Sequence, residues 1–278
     1  MIMKNKVKSN FQEFLDNFYK VIKKPEMRIL PGQLAFFFVL AIVPTITLIS
    51  YGASLLNLST DIIYNFLSNA FSKELADLLL NSASISKGGF SLTMAIIFGY
   101  YIASNGADSI IITTNAIYEE KRNHFLKRRI KAIIMTFFLV LLFIFMITVP
   151  IFGKNIVELL QYVDLNYNFR EKVARIIDFL QGPITWFIIY IFIKLIYTLA
   201  PNKQVKSKNV GYGAAFTSIG WILATYLFSF YITNYANYQA FYGGLANIVI
   251  LMLWLYALAY IFTIGIALNY RREEQSSK

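Results

Sequence analysis

The stretch Gly244–Leu268, GLANIVILMLWLYALAYIFTIGIAL, decides the fold, because its 25 residues contain no charged side chain. A helix of that length is about 37 Å long and exceeds the roughly 30 Å hydrocarbon core of a bilayer. Its residues do not alternate between apolar and polar, as barrel strands do. In lipid a backbone must satisfy its own hydrogen bonds, which leaves the helix. Five further blocks share this character, at about Leu34–Leu56, Phe90–Ile112, Ile130–Phe152, Ile184–Ala200 and Val210–Thr233. The expected fold is all-α, a polytopic bundle of six transmembrane helices with amphipathic helices at the interface. The expected organisation is a cytoplasmic N-terminal segment (1–33), a membrane domain (34–268) and a cytoplasmic tail (269–278).

Composition agrees. Of 278 residues, 57% are hydrophobic and 15% charged, whereas soluble domains carry about a quarter charged residues. There is no Cys, and His124 is the one His. Disulfides are therefore impossible, and a zinc or iron site lacks its usual ligands. The net charge of +11 is read as a membrane-surface charge meeting anionic headgroups rather than nucleic acid.

The basic residues also give an orientation. Residues 1–33, Thr113–Lys131, Pro201–Asn209 and the tail after Leu268 together hold 19 Lys and Arg. The intervening connectors hold six, and Lys194 lies within the fourth span. By the positive-inside rule both termini are cytoplasmic. Phe11, Phe14, Leu15, Phe18 and Ile22 repeat at helical spacing beside Lys20, Lys23 and Lys24. They read as a helix lying on the inner surface or packed on the ends of the spans. Apolar faces over Ile63–Leu79 and Phe169–Leu180 are expected to cover the outer mouth of the bundle or to rest at the interface. Contacts to anionic lipid are expected from Lys20, Lys23, Lys24, Arg128, Arg129, Arg271 and Arg272.

The second span carries the polar signal. Tyr101, Asn105, Asp108, Ile112, Asn115 and Glu119 follow at steps of three or four, with Ser104 alongside. Such a stripe must turn away from acyl chains. It either lines a pathway or bonds helices together, and both readings are open. Asp108 and Lys194 are expected within about 10 Å of the inner boundary, where they could pair, or Lys194 could snorkel to headgroups alone. Candidate pathway residues are Ser104, Asn105, Asp108, Asn115 and Lys194. Pro44 should kink the first span. Gly211, Gly213, Ala215, Thr217, Gly220 and Ala224 should bring the fifth span close to a neighbour. Trp186, Tyr231, Tyr235, Tyr238 and Tyr242 read as an aromatic belt. No P-loop, nucleophile elbow or cofactor motif is present, so neither ATP-driven chemistry nor an enzyme is expected.

Several motifs give the chain a family likeness. They are Leu34-Ala35-Phe36-Phe37 through Pro44, and Ala103-Ser104-Asn105-Gly106 followed by Asn115 and Tyr118. Tyr197 with Pro201, and Gly211, Ala214, Ala215 and Trp221, come next. Last are Tyr242-Gly243-Gly244-Leu245, Leu253-Trp254-Leu255-Tyr256 and Gly265 through Leu268-Asn269. In these the chain resembles the YihY/BrkB family of bacterial inner membrane proteins. The resemblance implies six spans in the cytoplasmic membrane and a role leaning towards export of lipid-like or anionic molecules. The family has also carried a ribonuclease label. Its last motif usually reads Gly-Ala-Glu-Leu-Asn, whereas this chain has Ala267 at the Glu position.

The leading expectation is thus a transporter of a lipid-like or anionic substrate. The alternative is a non-transporting scaffold that binds lipids or an envelope protein, and a membrane-embedded hydrolase or ribonuclease ranks behind both.

Overall fold

The computed structural model describes residues 26–55, 89–121, 124–159, 167–235 and 246–276, with isolated positions 19, 23, 61, 64, 65, 68, 73, 76, 77, 238, 242 and 243. Among these residues there is no strand. The long helices are α1 (Glu26–Leu55), α2 (Gly89–Ile117), α3 (Phe125–Leu159), α4 (Tyr167–Leu199), α5 (Gly211–Asn234) and α6 (Ala246–Ser276). The segments Glu171–Leu199, Gly211–Ile232 and Ile248–Glu274 are long and apolar enough to cross a membrane by length and composition.

Each helix packs on its successor in the chain, and α6 returns to pack on α1 and to touch α2. The result is a closed ring in chain order. In the first half of α6 one stripe is buried, Ala246, Leu251 and Leu255. From Leu258 to Asn269 burial runs round the helix, with Ala259 and Thr263 at 0% exposure. The core is therefore thickest where α6 nears its C-terminal end. There it meets the N-terminal turns of α1, whose Met27, Leu30 and Leu34 are also buried.

The helices outrun the hydropathy blocks. α1 begins at Glu26 and continues through Pro44. α3 begins at Phe125 and so includes Arg128 and Arg129, because charged residues lower hydropathy without breaking a helix. The apolar face at Phe169–Leu180 is not a separate covering helix. It forms the first turns of α4, which continues through Pro183. A proline inside a membrane helix is tolerated when neighbouring groups satisfy the freed carbonyl. The stripes at Phe11–Ile22 and Ile63–Leu79 lie outside the described residues apart from isolated positions.

Close packing of α5 on α6 follows from small residues, as expected. A Cβ on Gly213 would strike the carbonyl oxygen of Gly265 and the side chain of Asn269, and one on Gly220 would lie 2.7 Å from Ile261 Cγ2. Without a solvent-driven hydrophobic term between helices in lipid, such contact and polar bonds supply the association. Outward faces are apolar: Tyr226, Leu227 and Phe230 of α5 are all more than half exposed.

Candidate functional site

The polar face of α2 is answered by the start of α3. The two helices run antiparallel, which sets Arg128 and Arg129 beside Asp108 and Asn105. Arg128 donates from Nε to Asp108 Oδ1 at 2.7 Å. Arg129 donates from Nη1 to Asn105 Oδ1 at 2.8 Å and from Nη2 to the Tyr101 carbonyl at 2.6 Å. Its guanidinium carbon stands 3.6 Å from the centroid of the Tyr101 ring, a close cation–π contact. Arg129 is only 9% exposed. Ser104 is fully buried and returns its hydroxyl to the Tyr101 carbonyl within its own helix.

Beyond Asp108, α2 ends in a left-handed cap. Glu119 has φ 55°, and Glu120 N–H bonds the Asn115 carbonyl at 2.9 Å. This is a Schellman-type ending with Glu where Gly is usual. The ending leaves the Asn115 side chain free to act between elements. Its Nδ2 bonds the Ile111 carbonyl, and its Oδ1 accepts the Asn202 backbone N–H at 2.8 Å. Asn202 Nδ2 in turn donates to the Lys121 carbonyl. Lys131 of α3 donates to the carbonyls of Ala200 (2.9 Å) and Pro201 (2.8 Å), placing a cation at the negative end of α4. Lys203 and Glu273 form an ion pair at 3.3 Å, and the Tyr118 and Tyr270 rings stand 5.3 Å apart. Three basic regions, the α2–α3 turn, the α4–α5 loop and the end of α6, are therefore tied together at one end of the bundle.

A second network lies between α4, α5 and α6. The buried Tyr197 hydroxyl donates to the Phe262 carbonyl at 2.8 Å and accepts from Thr217 at 2.7 Å. Asn269 Oδ1 accepts the Gly213 N–H at 2.8 Å, one of the donors a helix start leaves free. Trp221 Nε1 bonds the Leu258 carbonyl at 2.9 Å.

Of the two readings for Lys194, the pair with Asp108 does not form. The Asp108 carboxylate is taken by Arg128, because α3 starts early enough to bring its first-turn arginines against α2. Lys194 is half-buried, with its ammonium 6.0 Å from the Tyr190 ring. Ser104, Asn105, Asp108 and Asn115 belong to one face, while Lys194 is on α4, apart from them. Of the residues expected to meet anionic lipid, Arg129 is buried against α2, while Arg128 bonds Asp108 through Nε and remains partly exposed. Lys23 is exposed and caps the Tyr19 ring at 4.3 Å. Arg272 is exposed, 5.3 Å from the Tyr212 ring, and Arg271 is half-buried. Lys20 and Lys24 lie outside the described residues. Lys131, Asn202 and Glu273 carry contacts that no sequence pattern marked; a lysine one helical turn after an arginine pair offers no signal of its own. Ala267, at the family's Glu position, is buried at 2% exposure. Among the described residues no group of three His, Cys, Asp or Glu could hold a metal ion.

Apolar helices closed around polar bonds at one end define an integral membrane protein. The model of the family described as Virulence factor BrkB matches residues 18–278, and the chain belongs to that family. It is 29% identical over 243 residues to the ribonuclease-like protein YfkH of Bacillus subtilis, covering 86% of this chain and 87% of that one. It is 39% identical over 99 residues to a UPF0761 membrane protein of Idiomarina loihiensis, covering 34% and 35% of the two chains. A UPF0761 membrane protein of Haemophilus influenzae is 34% identical over 97 residues, again about a third of each chain (34% and 35%). No solved structure matches.

Proposed function

We propose that this chain is a lipid-binding protein of the bacterial cytoplasmic membrane, with six spans and its basic end, including both termini, on the cytoplasmic side. One observation carries this reading over transport. The polar residues of α2 are spent on bonds between elements: Asn105 on Arg129, Asp108 on Arg128 and Asn115 on Asn202. Residues so used hold a bundle together, and the surplus of positive charge at that end suits anionic lipid. A partner in the envelope would dock on the same basic end.

The second reading is a transporter of a lipid-like or anionic substrate, driven by an ion gradient or a partner. It is favoured by buried polar atoms left without a hydrogen bond, Ser109 Oγ and Thr113 Oγ1 of α2 and Asn269 Nδ2 of α6. A hydrated path or a second conformation would satisfy such groups. A hydrolase has less support, since the Asp108 carboxylate is already paired.

The test is purification in native-lipid discs with mass-spectrometric identification of retained molecules, followed by reconstitution. Retention of particular lipids with no flux of fluorescent phospholipid or organic anion across proteoliposomes supports the first reading. Flux abolished by Asn115→Leu replaces it with the second.

A further inference from the structure

We infer that Arg128, at the start of α3, binds the phosphate group of an anionic membrane phospholipid. This deepens the lipid-binding reading and rests on it. Asp108 engages the guanidinium through Nε alone. The two terminal nitrogens of Arg128 take no partner among the described residues, and the side chain is 19% exposed. Held from behind in this way, the guanidinium presents the planar pair of donors that a phosphate accepts bidentately.

The charge balance points the same way. Arg128 and Arg129 face a single carboxylate, Asp108. The bonds of Arg129 go to neutral oxygens of Asn105 and Tyr101, and its Nε is buried without a partner. One positive charge at this seam therefore has no anion, in a half-buried setting where an unmatched charge is costly. Arg129 is a positioning residue: it fixes α3 against α2 and adds to the field without a free fork.

The surroundings select a lipid over a soluble anion. Phe125 lies beneath the Arg128 guanidinium, 5.8 Å from ring centroid to Cζ, and is itself 56% exposed. On α2, Tyr101, Phe98 and Ile97, 48%, 63% and 56% exposed, continue along the face that carries Asp108. An arginine at the head of an exposed apolar stripe matches a phosphate at the head of acyl chains. Free phosphate would leave the stripe unused.

The experiment is native mass spectrometry of the full chain in detergent, titrated with phosphatidylglycerol or phosphatidylcholine of identical chains. Wild type should retain phosphatidylglycerol preferentially, and Arg128→Gln should weaken that retention by about tenfold. Arg128→Lys should recover only part of it, since a point charge lacks the fork. Asp108→Asn, which keeps Arg128 and removes the competing carboxylate, should strengthen retention. Lys127→Gln, exposed on the neighbouring position, should change it less than twofold. If Arg128→Gln does not fold, the Asp108→Asn result decides, and weaker or unchanged retention there overturns the site. Preference intact in a folded Arg128→Gln overturns the site alone. Equal retention of both lipids by wild type overturns the site alone, and retention of neither overturns the site and the lipid-binding reading together. Full displacement by millimolar inorganic phosphate overturns the assignment to lipid.

Discussion

Asn269 near the end of α6 serves as an external cap for α5: its side-chain oxygen takes the Gly213 N–H at 2.8 Å. The contact works because Gly213 has no side chain to hold the helices apart. Gly213→Ala forces a Cβ onto the Gly265 carbonyl and Asn269 and should cost about 1–3 kcal/mol through overpacking. Asn269→Ala should cost about 1 kcal/mol for the lost bond. Gly32→Ala, where the added Cβ meets only the Tyr256 ring edge at 3.8 Å, should be neutral or stabilise by up to about 1 kcal/mol through helix propensity. Thermal melting of the three variants in detergent checks the ranking, and equal losses at Gly32 and Gly213 would contradict it.

Arg129 is the most committed charge between α2 and α3. Arg129→Lys keeps the charge but cannot bridge Asn105 and the Tyr101 carbonyl together. It should lower stability by about 1–3 kcal/mol, as loss of charged hydrogen bonds does. Tyr101→Leu removes the ring while leaving the backbone acceptor, and its smaller loss should be about 0.5–2 kcal/mol. Melting with each single variant and the double variant would give the coupling energy; strict additivity would mean the ring and guanidinium act separately.

Lys131 joins α3 to the end of α4. Lys131→Met keeps the aliphatic stem but strands the carbonyls of Ala200 and Pro201. The expected loss is about 1–2 kcal/mol. Hydrogen exchange should rise in the α4–α5 loop, residues 200–210, with little change in α2. A uniform rise over the whole chain would contradict a local tie.

The chain has no cysteine, so single cysteines report sidedness directly. Lys127→Cys and Lys206→Cys, both exposed at the basic end, should resist a membrane-impermeant maleimide in intact cells and react in inverted vesicles. Tyr235→Cys, at a position 72% exposed beyond the end of α5, should show the reverse. Labelling of Lys206→Cys from outside would invert the topology.

The sequence made the helices legible because long uncharged runs have one stable form in lipid. It also made the small-residue face of α5 legible, since Gly213 and Gly220 mark where backbones approach. It did not reveal the partner of Asp108. Hydropathy places the third span at Ile130, just past the arginines, yet a helix start depends on backbone bonding. Arg128 N–H already bonds the His124 carbonyl at 3.2 Å. The links of Asn115 to Asn202 and Lys203 to Glu273 join residues 87 and 70 positions apart, and only the ring closure brings them together. The motifs that carry the family likeness were legible as a set. Their physical roles, with Tyr197, Gly213, Trp221 and Asn269 as the fastening of three helices, required the coordinates.

The return of α6 onto α1 has a consequence for biosynthesis. A ribosome delivers α1 into the bilayer first, yet the surface that receives Leu34 and its neighbours arrives last. Until translation is nearly complete, the earliest segment must wait half-matched beside lipid or an insertion chaperone. Nascent chains cut short before Ala246 should therefore be recognised and degraded as incomplete, even though α1 to α5 have already been made.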